Sequence, residues 1–236
     1  ESTLASANQM LAFEVPDLHK ILASQSAGTI GGVLATNASG PRRLTAGAAR
    51  DYLLGFDAIS GRGERFKSGG KVMKNVTGYD LSKLICGSYG TLAIFDEVTL
   101  KTLPKPETNI SLLFPCDDIT AAVARIAGIF ASPHEPNAAA ILPQAIAAKA
   151  GIDVAGAMLA IIRLEGIDVS VADRAAHLLA AHKEGVMIDT NASTTLWQKI
   201  RDVDLLVDTD GDIWKLSCAP ASAPAIIATL LDRFDM

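Results

Sequence analysis

The sequence predicts an α+β protein in two parts, and three observations carry that prediction. Strand-length apolar runs alternate with amphipathic, helix-length stretches along the chain. A single Pro104-Lys105-Pro106 sequence interrupts the alternation and reads as a linker. Before it lie two glycine-rich bends, residues 28–40 (GTIGGVLATNASG) and residues 87–92 (GSYGTL), whereas alanine dominates after it. The expected division is residues 1–106 and residues 107–236.

Taken in order, residues 1–11 read as the end of a helix and 11–14 as a short strand stopped by Pro16. The first bend passes through a short helix or turn at 33–36 and halts at Pro41. Residues 49–56 and 57–59 read as strands, and Gly61-Arg62-Gly63 turns the latter into 64–66. A Gly69-Gly70 turn precedes 71–75. Asp80 can cap a helix at 81–86 that Gly87 ends. Residues 91–103 form a long run of strand-type residues. In the second part, strands at 110–114, 138–142, 157–164 and 213–218 alternate with helices at 120–130, 169–182, 191–206 and 221–234. Such an order gives a sheet with helices stacked on one face.

Of the 236 residues 49% are apolar and 20% charged, a balance that supports a substantial core and argues against disorder. The three cysteines, Cys86, Cys116 and Cys218, are scattered and odd in number, which speaks against both a disulfide framework and a zinc site. No apolar run reaches the roughly 18 residues that a membrane-spanning helix needs. The chain opens on Glu1, inside what reads as a helix, so a fragment of a longer protein is expected. Between Gly28 and Pro106 there are 11 Lys and Arg against 6 Asp and Glu, while the remainder carries 10 against 20. A basic section within an acidic chain suits a bound anion and equally suits an ordinary solvated surface. Few aromatics and no basic helical stripe argue against nucleic acid.

The chemistry is concentrated in the two bends. Glycine lets a backbone approach a ligand closely, and successive N–H groups with nearby hydroxyls make an anion-binding concavity. The first bend is not a dinucleotide fingerprint, because no GxGxxG opens a βαβ unit, and it is not a Walker loop. By composition a structural turn competes with a phosphate cradle, and the second bend in the same basic section favours the cradle. Arg42 and Arg43 could hold an anion, although tandem arginines are more often at the surface. Lys71 and Lys74 are equally balanced between those roles. Arg50 and Asp51 read as a local ion pair. His134 reads as solvated, and His177 and His182 are spaced too far round a helix to share a metal. Trp197 and Trp214 read as core anchors and Cys86 as a buried, inert thiol. No side chain stands out as a catalytic base.

Together, TIGGVLATNASGPRR, ARDYLLG and GGKVMKNVTGYDLSKLICGSYGTLAIFDEVTLKTLP resemble the flavin-binding subunit of glycolate oxidase (glycolate dehydrogenase). That family lies within the vanillyl-alcohol oxidase and p-cresol methylhydroxylase (PCMH) flavoprotein group. The resemblance implies the second half of a PCMH-type FAD-binding domain over residues 1–106, followed by a ferredoxin-like α+β cap over 107–236. By position, Thr29, Ile30, Gly31 and Gly32 correspond to residues flanking the diphosphate and flavin, and Ala38 and Gly40 to the second half of that loop. Gly87, Ser88, Gly90 and Thr91 correspond to the second flavin-side loop, where many relatives carry an acid in place of Tyr89. Ile94 corresponds to the position whose main chain meets the adenine.

No counterpart of a flavin-attaching histidine or cysteine is evident, so the resemblance implies non-covalent FAD. It also implies a further subdomain before Glu1 and more chain after Met236, so the 236 residues alone are expected to hold FAD weakly or not at all. The implied partners are a homologous flavin subunit and an iron–sulfur subunit, in a cytoplasmic complex peripheral to the inner membrane. The implied reaction is oxidation of glycolate to glyoxylate. Two alternatives stand beside it: a non-catalytic assembly subunit with a vestigial site, and a flavin oxidoreductase for another 2-hydroxy acid such as lactate.

Overall fold

The computed structural model describes residues 1–72, 78–153 and 155–234. The chain divides into two compact units: Glu1–Pro106 with Ile200–Asp204, and Glu107–Lys199 with Leu205–Met236. Both mix helices with antiparallel sheet, so the α+β class expected from the sequence holds.

In the first unit the elements run α1 (Ser2–Ser6), β1 (Gln9–Met10), α2 (Ile30–Thr36), α3 (Arg43–Ala46), β2 (Leu53–Ser60), β3 (Arg65–Gly69), α4 (Leu81–Ile85), β4 (Ala93–Leu100) and β5 (Leu103–Pro104). β2 is the central strand of a β3-β2-β4 sheet, and β1 pairs separately with β5. Alternation, shifted by an irregularity in the pairing between Leu53 and Gly55, leaves Leu53, Phe56 and Ala58 among the buried residues, where Phe56 packs edge-on against Phe66 and Phe95. Leu34 of α2 and Ile85 of α4 close that core, together with Phe13 and Tyr52, whose rings lie 5.5 Å apart.

Three expectations shift here. The strand placed at 11–14 lies at Gln9–Met10, because Ala12 and Phe13 are fully buried in the core and Glu14 adopts a positive φ. The strand placed at 49–56 begins at Leu53, after a 3-10 turn over Ala49–Asp51. The long strand at 91–103 breaks after Leu100, where Lys101 donates its N–H to the Tyr52 carbonyl and Thr102 its hydroxyl to Gln9 Oε1. The segment expected at 71–75 lies mostly outside the described residues.

In the second unit, β6 (Thr108–Cys116), α5 (Ile119–Phe130), β7 (Ala138–Pro143), α6 (Gln144–Lys149), β8 (Met158–Gly166), α7 (Asp168–Ala181), β9 (Val186–Ile188), α8 (Thr190–Arg201) and α9 (Ala223–Arg233) follow in order. The sheet order is β7-β8-β6-β9, antiparallel throughout, which is the ferredoxin-like β-α-β-β-α-β arrangement. Asp118 and Asp189 cap α5 and α8 through the N–H groups of Ala121 and Ala192.

One face of the sheet, with Leu112, Phe114, Ile162 and Leu164, packs against Ala122 and Ile129 of α5 and Val171, Ala175 and Leu178 of α7. The other face is covered as well, contrary to the one-sided arrangement expected. Ser111, opposite in pleat to Leu112, accepts the Trp197 indole N–H at 2.7 Å and bonds Ser193 at 2.8 Å, both from α8. Two-sided cover explains why β8 is buried at every position from Leu159 to Glu165. Buried there, Arg163 lies over the Trp197 ring and pairs with Glu165 at 3.4 Å. Helix α8 ends at Arg201 rather than 206, just before Val203 at φ 59°. The strand expected at 213–218 carries no regular structure and Trp214 is 82% exposed, so of the two tryptophans Trp197 alone is a core anchor. At three residues, β9 is too short to leave an alternation pattern in the sequence.

Candidate functional site

The first bend is organised by Thr29 and Asn37 at the two ends of α2. Thr29 is extended, and its hydroxyl oxygen accepts the Gly32 N–H at 3.1 Å, capping the helix. Ile30 and Gly31 then open the helix, where an α-helix leaves its N–H groups without intrahelical acceptors. Asn37 takes the left-handed conformation, and the N–H groups of Asn37 and Ala38 turn back onto the carbonyls of Leu34 and Val33. Val33 and Leu34 face the core while Gly32 and Thr36 stay exposed.

The second bend docks on the end of that helix through its main chain. Gly87 donates its N–H to the Leu34 carbonyl at 2.9 Å, and Tyr89 donates to Ala35 at 2.8 Å. The Cys86 thiol adds a bond to the Leu34 carbonyl at 3.0 Å. Burial pushes that thiol up to about 11, so it stays protonated and inert, as the sequence suggested. Asn37 ties the bends further, accepting the Arg50 N–H at 3.0 Å and lying 3.7 Å from the same thiol. Asn37 lies within the bend that the sequence marks, and asparagine's tolerance of the left-handed region suits it to a helix end.

The candidate residues therefore fall into groups. Thr29, Ile30, Gly31 and Gly32 lie at the start of α2, and Gly87, Ser88, Gly90 and Thr91 in the second bend, which bonds the other end of that helix. Both segments leave space beside the backbone: a Cβ added at Gly28 or Gly90 would meet nothing within 4 Å, and one at Gly31 only the Thr29 hydroxyl at 3.8 Å. Gly40 differs. It is buried, its N–H goes to the Phe13 carbonyl at 2.9 Å, and a Cβ there would sit 2.7 Å from that of Glu14. Its glycine is required by packing, and its amide is engaged within the fold. Ile94 lies on β4, against which α2 packs, and is 67% exposed.

The nearby charges are mostly structural. Arg42 is turned inward, contrary to the surface position expected: its N–H and guanidinium meet the Glu14 carboxylate at 2.6 and 3.7 Å, and Nη1 donates to the Ala12 carbonyl at 3.2 Å. Arg43 is exposed and donates to Ser39 Oγ at 3.2 Å. Asp51 pairs with Lys83 at 3.1 Å instead of with Arg50. Lys71 is exposed, and Lys74 lies outside the described residues. In the second unit, His134 is half-buried and stacks on His177 with ring centroids 5.8 Å apart. No group of three or more metal-ligating side chains occurs among the described residues.

Residues 17–69, which span the first bend, match the FAD binding domain family model. The chain is 34% identical over 225 residues to glycolate oxidase subunit GlcE of Escherichia coli, a match covering 95% of this chain and 55% of that protein. It is 40% identical over 121 residues to glycolate oxidase subunit GlcD of Bacillus subtilis, covering 51% of this chain and 26% of that one. The chain thus spans about half the length of GlcE and a quarter of GlcD. Among solved structures, alkyldihydroxyacetonephosphate synthase shares the fold, with a TM-score of 0.62 at 20% identity over 88% of this chain and 41% of its own. The resemblance read from the sequence holds: the chain is similar to the glycolate oxidase subunits GlcE and GlcD, and its residues 17–69 match an FAD binding domain.

Proposed function

We propose that the chain belongs to an FAD-binding subunit of a glycolate oxidase complex, with residues 1–106 contributing to the flavin site and 107–236 as the cap domain. The observation that carries this reading is the main-chain bonding of the two glycine bends, Gly87 to Leu34 and Tyr89 to Ala35, within a chain similar to GlcE over 95% of its length. The open approach at Gly28, Gly31 and Gly90 fits a dinucleotide's diphosphate. Thr29, Ile30, Gly31 and Gly32 at the start of α2 and Gly87, Ser88, Gly90 and Thr91 in the second bend would hold it, with Ala38 and Gly40 in the second half of the first bend and Ile94 toward the adenine.

When bound non-covalently, FAD would supply the acceptor for a hydride equivalent from the α-carbon of a 2-hydroxy acid. The protein orients the cofactor and sets the local field. The complex would further comprise a homologous flavin subunit and an iron–sulfur subunit. No helix among the described residues is long and apolar enough to cross a membrane, which is compatible with a cytoplasmic complex peripheral to the inner membrane. The test is spectroscopic. The full-length protein, purified with its complex, should show a flavin absorption that glycolate bleaches. An absent flavin, with a complex that falls apart on deletion of the subunit, would instead establish an assembly role.

A further inference from the structure

We infer that Tyr89 is a cofactor-contact residue, its phenol ring forming a stacking platform for a flat heteroaromatic ring of the dinucleotide. The inference rests on the flavin-site reading above and deepens it at one side chain. An aromatic residue in the left-handed region is disfavoured, because its Cβ crowds the following carbonyl oxygen. Seven non-glycine residues among those described have a positive φ, and Tyr89, at 56°, is the aromatic one. It stands between Gly87 at 89° and Gly90 at 76°, in a bend where glycine is already used for such conformations.

Packing does not repay the strain, since the side chain is 74% exposed. Nor does the main chain, since the bond from the Tyr89 N–H to Ala35 is one that any residue but proline could make. What the tyrosine adds is a π-face with a polar tip, carried in an exposed bend beside Gly90 and Thr91. Strained residues persist where the surroundings over-determine them, and they cluster at ligand clamps. Flat nucleotide rings stack on such faces.

The experiment titrates the full-length protein, with Tyr89→Asn and Tyr89→Phe variants, against FAD, FMN and ADP, and records thermal melts in parallel. Asparagine tolerates the left-handed region and removes the ring. Tyr89→Asn is expected to melt at or above the wild-type temperature yet to bind FAD roughly tenfold or more weakly, whereas Tyr89→Phe keeps wild-type affinity. A loss confined to FMN assigns the flavin ring to the platform, and one confined to ADP assigns the adenine. Unchanged FAD affinity in Tyr89→Asn overturns the inference and leaves the flavin reading standing. So does a loss of affinity that comes only with a lowered melting temperature, which marks a structural role. Failure of the wild type to take up FAD overturns both.

Discussion

At the scale of single residues, the clearest lesson concerns charge partners distant in sequence. Asp51 lies beside Arg50 in the chain, yet its Oδ1 takes the Lys83 ammonium and its Oδ2 the Ala48 N–H at 2.9 Å. Burial works against ionising the Asp51 carboxyl, but the Ala48 amide and the Lys83 ammonium outweigh it and hold the group below the usual carboxylate range. A folded-state value below the unfolded one means stability that is fully present above the unfolded pKa and lost as pH falls through the folded one. Asp51→Asn should therefore flatten the acid limb of stability, read as the urea midpoint followed from about pH 6 to pH 3. A variant whose midpoint falls as steeply as the wild type's would refute this role. Lys83 also donates to the Arg50 carbonyl at 2.8 Å, a bond from α4 that no local pattern announces.

At the scale of elements, turn chemistry decides where β3 ends. Gly69 has φ 72°, and a Cβ there would lie 2.2 Å from the Leu54 carbonyl oxygen, which is backbone and cannot swing aside. Gly69→Ala should cost roughly 3 kcal/mol, measurable by denaturant unfolding; a loss below about 1 kcal/mol would show that the hairpin end relaxes. Such positions were legible, since Gly69-Gly70 and Gly61-Arg62-Gly63 announce their turns in the sequence. So were Asp80, which caps α4, and the helices α5 and α7, which apolar periodicity marks. The strand expected at 213–218 was misread because Ile213, Trp214 and Leu216 have strand character but find no neighbour to pair with among the described residues. Helix α8 was legible as a helix but not as the cover of the second sheet face, because that depends on Ser111 meeting Trp197 across 86 positions. At the candidate site the glycine bends were visible in the sequence, whereas their junction through Leu34, Ala35 and Asn37 arises only in three dimensions.

At the scale of the whole molecule, the two units differ in how they use the chain. The second contains its entire four-stranded sheet and the helices on both faces. Residues 107–236 expressed alone should therefore unfold in one cooperative transition by circular dichroism. A broad, featureless melt would count against that autonomy. The first unit instead borrows Ile200–Asp204, whose Asp202 carboxylate takes the Asp17 N–H at 2.8 Å and the Arg201 guanidinium at 2.7 Å. The Leu34 carbonyl has a different kind of consequence. It gathers Gly87, Asn37 and the Cys86 thiol onto one oxygen, so the two glycine segments are spliced before any guest arrives. Preorganisation of that sort spares association the entropic cost of ordering loops. Tightness of binding would then be governed by how slowly the occupant departs.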